Sequence, residues 1–341
     1  KYNVSYSGGN DKTNYYVSMG YYSEKGTAKA NSGVDRFTFR TNLDTQVVDW
    51  LKFGANVALT YSKYQTIVTG WYTQSPILQA VTALPYKSPY EIIYNPDGTI
   101  SWGDPYEVYP WDNMIDLNQY YEKNTNNRQS MDLMGQTYFL LTPVKGLTIR
   151  AQQAVDAYDY TNTSINYPSY EPYSARGRNG KAFQRYYQLS STNTAEYKTD
   201  INKKHFFAVL AGHESFIRHQ SDFSATGTGL TDDRIVNFGS TTDISSWAGN
   251  DMECAFNSFF GNANYNYADR YFVDASIRTD GSSLFGKNHR YATFYSFGGM
   301  WKAKSEPFLQ HVNWVNDLSL SVSYGTTGNA GLGSWYESLG L

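Results

Sequence analysis

The residues able to do covalent or acid–base chemistry are few and scattered. No Gly-x-Ser-x-Gly elbow, His-Glu-x-x-His pair or phosphate-binding Gly-Lys-Ser/Thr loop occurs in the 341 residues. Of the five histidines, His205, His213 and His219 fall around one expected strand, without the convergence that a metal site needs. Asp232 and Asp233 are adjacent carboxylates, and their place in an expected loop reads as solvated charge rather than an acid/base pair. Residues 95–99 (Asn-Pro-Asp-Gly-Thr) lack the closing glutamate of a calcium loop and read as a turn. The single cysteine, Cys254, rules out an internal disulfide framework and reads as a small, half-buried residue. No catalytic residue, metal site or cofactor is expected, and the chain does not read as an enzyme.

Binding chemistry is better represented. Residues 65–125 are expected to form one long loop carrying Trp71, Trp102, Tyr106, Tyr109 and Trp111 with Asp104 beside them, and with Tyr72, Tyr94 and Asp112 nearby. Rings stack on sugar faces and carboxylates bond hydroxyls, which makes these residues the candidate ligand contacts. The competing reading is that the rings pack the loop against itself or against a covering protein. Packing is the commoner fate of such residues, because ligand sites are few.

The elements that would carry this loop announce themselves by period-2 patterning. Phe37, Phe39, Leu43 and Val47 alternate with Arg36, Thr38, Arg40, Asn42, Asp44 and Gln46. After a tight turn at Asp49-Trp50, Phe53, Ala55, Val57 and Leu59 alternate with Lys52, Gly54, Asn56 and Thr60, which predicts a hairpin. The same alternation recurs at Val17 and Met19, at Leu147 and Ile149, at Val273 and Ile277, and at Leu318, Leu320 and Val322. Segments of roughly ten residues fit a tilted strand crossing a bilayer, whereas soluble sheets favour about five or six.

Loop lengths agree with this. Short turns are expected near 8–12, 49–51, 143–146, 199–204 and 267–270, with a longer connection at 304–317. Long loops are expected at 24–35, 65–125, 161–180, 221–251, 280–290 and from 326 onward. Strict short–long alternation is what a barrel shows when alternate connections face the periplasm and the outside. The fold expected is all-β: an antiparallel transmembrane β-barrel, here about twelve strands of a larger one of about 22, with the plug and terminal strands outside the chain. The opening residues Tyr2, Asn3, Val4 and Ser5 already alternate, so the expectation is a start within the barrel, any export signal lying upstream.

Composition fits. Aromatics and charged residues each make up 17% of the chain, with 32 Tyr, 18 Phe and 8 Trp, an excess that membrane-interface girdles or ligand stacking would use. Mean hydropathy is −0.56 with no long apolar run, which excludes a membrane helix but not alternating barrel strands. A net charge of −3 without a basic stripe argues against nucleic acid.

Four stretches resemble the signatures of the SusC/RagA family of TonB-linked outer-membrane proteins. The first runs from Val4-Ser5-Tyr6-Ser7-Gly8-Gly9-Asn10 through Asn14-Tyr15-Tyr16 to Gly20-Tyr21 and Glu24-Lys25-Gly26. The second joins residues 36–40 and Asn42-Leu43-Asp44 to Asp49-Trp50-Leu51-Lys52-Phe53-Gly54. The third, the most specific, joins Asp269-Arg270-Tyr271, residues 278–286, Trp301 and Ser305-Glu306-Pro307-Phe308; Thr279 and Tyr295 depart from the family pattern, which bears on loop geometry. The fourth joins Asp317-Leu318-Ser319-Leu320 to residues 323–329. The resemblance implies TonB-dependent import of a bulky nutrient, commonly a glycan or peptide, beneath a SusD-like surface lipoprotein. The polar rows, including Arg40, Asp44, Arg150, Asp274 and Arg278, would then line a wet lumen while their neighbours meet lipid. A glycan-binding all-β surface protein and a passive porin are the competing classes.

Overall fold

The computed structural model describes residues 1–27, 32–67, 75, 78, 81, 96–98, 125–168, 177–286, 290–309 and 311–328. The alternating segments form twelve strands: β1 Tyr2–Gly9, β2 Thr13–Lys25, β3 Gly33–Val48, β4 Leu51–Gln65, β5 Thr125–Leu141, β6 Leu147–Asn166, β7 Gly177–Ile201, β8 His205–Leu230, β9 Asp243–Tyr267, β10 Tyr271–Ser282, β11 Tyr291–Lys302 and β12 Ser319–Gly325. They pair antiparallel in sequence order in one sheet, each strand beside its chain neighbours. This is the meander expected of a barrel wall.

Connections sort by end as expected, apart from the longer 303–318 connection at the end of the tight turns. Tight turns join β3 to β4 and β7 to β8, and on the latter Asn202 and Lys203 both take φ near 55°. Left-handed residues give a tight hairpin turn a twist that matches the strands it joins, here between the paired Ile201 and His205. Ala268 and Asp269 do the same between β9 and β10, where Asn266 Oδ1 accepts the Asp269 backbone N–H at 2.9 Å. An alanine there costs about 1 kcal/mol against glycine.

Strand length departs from the expectation. β7, β8 and β9 run 25, 26 and 25 residues, and most of the loop expected at 221–251 is paired strand. The β8 residues 221–230 are rich in Ser, Thr and Gly with little apolar alternation, and they are held as strand by backbone pairing to β7 and β9, which hydropathy does not report. The connection left between them, 231–242, carries a 3₁₀ turn at Phe238–Ser240 and folds back on the sheet. There Asn179 Nδ2 donates to the Val236 carbonyl at 2.6 Å, over a fully buried Leu230.

A single-layer sheet has no second layer to bury its apolar side chains. Among the described residues only Ala225, Leu230, Cys254 and Ala303 are buried apolar positions, while Phe37, Val209, Ile217, Phe259 and Val273 are exposed. Such a surface is stable in water only when something else covers it.

Candidate functional site: the two faces of the wall

Because directly paired residues point to one side, the register sorts every strand into two faces. Asp44 pairs with Gly54, Gly54 with Tyr138, Tyr138 with Gln152, Gln152 with Thr192, Thr192 with Glu214, Glu214 with Ser258 and Ser258 with Asp280. This polar row crosses eight strands. The neighbouring rows of the same face hold Arg40, Arg150, Arg218, Asp274 and Arg278, so all five sequence-selected lumen candidates share one face.

They are joined to partners that sequence reading did not select. Tyr138 donates its hydroxyl to Asp44, Lys52 Nζ lies 3.4 Å from the same carboxylate, and Arg150 stacks over the Tyr138 ring at 4.6 Å. Arg150 continues to Gln152 at 2.8 Å. Farther along, Arg278 bridges Glu214 at 2.9 Å and Asp280 at 2.5 Å, over the Phe260 ring. Arg218 donates twice to Gln188 Oε1, at 2.9 and 2.7 Å. Exposed pairs of this kind contribute about 0–1 kcal/mol each, so their effect is to fix side-chain positions along the wall. Two glycines make room for rings on this face, Gly54 in the row and Gly212 in the next one. The Tyr138 ring lies over Gly54 and the Phe260 ring over Gly212, each occupying the space of a Cβ. Even parity in Lys52, Tyr138, Glu214 and Asp280 was the signal that could have found these partners.

The opposite face is apolar. It carries Phe37, Phe39, Val57, Leu59, Leu133, Val155, Leu189, Val209, Ile217, Val273, Ile277 and Phe297. Its charged residues, Lys25, Asp35, Lys63, Asp159, Lys181, Arg185, Asp251 and Glu253, all lie in the strand halves away from the tight turns. Aromatics gather instead at the turn end, where His205, Phe207, Tyr265, Tyr267, Tyr271 and Trp301 neighbour one another. A polar patch within the apolar face bonds to itself: Gln153 to Ser191 at 2.8 Å, Asn193 to Ser191 at 3.0 Å and His213 to Asn257 at 2.6 Å. Polar groups that meet hydrocarbon need such internal partners.

The three β8 histidines meet different β9 residues rather than one another: Tyr265 at 2.9 Å, Asn257, and Glu253 at 3.9 Å. Asp232 is gripped by Arg234 through two side-chain bonds of 2.9 and 2.6 Å, which hold its carboxyl well below the usual range and ionised at neutral pH. Pro96, Asp97 and Gly98 form a turn, with Gly98 at φ +84°. Cys254 is buried on the polar face, paired across to Arg218. Trp71, Trp102, Asp104, Tyr106, Tyr109 and Trp111 lie outside the described residues.

No family model matches the chain. Among curated proteins it is 30% identical over 348 residues to TonB-dependent receptor P26 of Formosa agariphila, covering 99% of this chain and 33% of that protein. It is 27% identical over 355 residues to TonB-dependent receptor SusC of Bacteroides thetaiotaomicron, covering 100% of this chain and 34% of SusC. Among solved structures, the RagAB peptide transporter superposes with a TM-score of 0.77 at 30% identity, over 97% of this chain and 37% of that one. Over almost its whole length the chain is similar to TonB-dependent receptors, SusC and the RagAB transporter among them. It spans about a third of the length of the curated receptors it matches. Those relatives are receptors and transporters rather than enzymes, in agreement with the missing catalytic motifs.

The third of the sequence signatures of this receptor family folds into one cluster. The Glu306 carboxylate accepts from Trp301 Nε1 at 3.2 Å and from the Tyr271 hydroxyl, and pairs with Arg270 at 3.3 Å. These contacts tie the β9–β10 turn to the β11–β12 connection, so residues spaced 36 apart in sequence form one structural unit.

Proposed function

We propose that this chain is part of the wall of an outer-membrane importer that takes up a bulky nutrient, an oligosaccharide or a peptide, with energy delivered through TonB. One observation supports this reading above the others. A single-layer sheet of twelve strands carries one predominantly apolar face and one that holds most of its ion pairs, with almost nothing buried between them. Hydrocarbon satisfies the first face and a wet lumen the second. On this reading Arg40, Asp44, Arg150, Asp274 and Arg278 line the lumen, the tight turns face the periplasm of a Gram-negative cell, and the 65–125 loop lies outside. Trp71, Trp102, Asp104, Tyr106, Tyr109 and Trp111 contact substrate there, and a SusD-like lipoprotein covers the mouth. The likeness to TonB-dependent receptor SusC supports the energy source, and the likeness to the RagAB peptide transporter supports a peptide cargo; the oligosaccharide class follows from the motif resemblance alone.

The test is uptake of fluorescent oligosaccharides and peptides by cells carrying the full-length gene. Uptake is expected to stop when the proton-motive force is dissipated; uptake at an unchanged rate would point to a passive pore. Trp102→Ala with Trp111→Ala is expected to weaken binding at normal surface abundance. Unchanged affinity would remove the loop from the binding site.

A further inference from the structure

The connection between β11 and β12 differs from the other turn-end connections in being a folded strap rather than a tight turn. It begins with a 3₁₀ turn at Ala303–Ser305 and is closed at its base by the Lys304 N–H donating to the Leu318 carbonyl at 3.0 Å. The Lys304 ammonium donates to the carbonyls of Leu309 and Val312 at 2.9 and 2.7 Å, which holds the strap against itself. Its position is set by Glu306, whose partners Trp301 and Tyr271 pair with each other on the apolar face. The strap therefore leaves the sheet along that face, beside the aromatic residues of the turn end.

It also carries large apolar side chains that the described residues leave uncovered. Phe308 is 68% exposed and Trp314 86% exposed. The next apolar-face residues along the chain, Leu320 and Val322 on β12, are exposed too, so the apolar surface runs on from the strap into the wall. Tryptophan at such a boundary places its ring among acyl chains and its N–H among headgroups.

We infer that residues 303–309 and 311–318 form a membrane-surface anchor, with Trp314 and Phe308 inserted into the phospholipid leaflet that surrounds the turn end of the wall. The occupant of this surface is the bilayer, argued from continuity with the lipid-facing side and from the Glu306 contacts that turn the strap toward it. This rests on the proposed membrane orientation. It adds a fixed point at the periplasmic rim that would set the depth of the wall in the bilayer.

The full-length receptor is reconstituted in phosphatidylethanolamine–phosphatidylglycerol vesicles, with and without brominated acyl chains. The emission lost in a Trp314→Phe variant isolates the Trp314 signal. That signal is expected to fall roughly twofold with brominated lipid and to resist aqueous iodide, as for a ring at the interface. Quenching by iodide alone would place Trp314 in the periplasm, and resistance to both quenchers would place it under protein; either overturns the anchor. A Val209→Trp substitution in the Trp314→Phe background reports on the apolar face itself. Quenching at position 209 without quenching at 314 defeats the anchor alone, whereas absence of both defeats the membrane reading.

Discussion

Glu306 shows how one side chain organises a distant set of residues. Hydrogen bonds from Tyr271 and Trp301, with the Arg270 guanidinium beside it, hold its carboxyl below the ordinary value of 4.5. A group depressed in the folded state favours folding above its unfolded value, and that contribution is lost as pH falls through the lower folded value. Thermal unfolding of the full-length protein in detergent is therefore expected to show an acid limb beginning below about pH 4.5, and Glu306→Gln should flatten it. Parallel acid limbs in the two proteins would show that Glu306 does not carry this effect. The sequence offered the pieces of this cluster as a motif. It offered nothing of the contact itself, because Arg270 and Glu306 meet only when two hairpin connections come together at one rim.

A strand, by contrast, displays its two environments in its own spelling. On β8, Phe207, Val209 and Ala211 face one side and Ala208, Leu210, Gly212 and Glu214 the other, and pairing with β7 and β9 keeps that division in register. Arginine at Val209 is expected to cost about 2–4 kcal/mol in denaturant unfolding of the full-length protein from lipid vesicles. Arginine one residue away, at Ala208, is expected to change stability by about 0.5 kcal/mol or less, being on the wet side. Equal costs at the two positions would contradict the assignment of faces. Alternation was legible wherever one face meets hydrocarbon. It failed at 221–251, where β8 and β9 continue as strands held by backbone pairing through a stretch rich in Ser, Thr and Gly that carries little hydropathy alternation. Turns were legible for a different reason, since positions such as Asn202 and Gly146 require a left-handed backbone that few residues adopt cheaply.

At the scale of the whole molecule, the wall lacks the means to be stable in water by itself. Its buried apolar set is four residues among those described, against a face of exposed Phe, Val, Leu and Ile. The full-length protein is expected to stay monodisperse by light scattering in detergent and to aggregate when detergent is removed. Monodisperse protein without any amphiphile would contradict the membrane reading. The sequence by itself determined the strand class, the parity that separates a greasy side from a wet one, the sorting of most connections into short and long, and the family resemblance. Each of these is a local property, written in neighbouring residues by the two-residue repeat of a strand. Only the tertiary structure decided which polar residues act together: Asp44 with Tyr138 and Lys52, Arg278 with Glu214, and Glu306 with Arg270. It also decided that the 303–318 strap lies along the apolar side. Those choices depend on register between strands and on where connections meet, and register comes from pairing across the whole sheet rather than from any one segment.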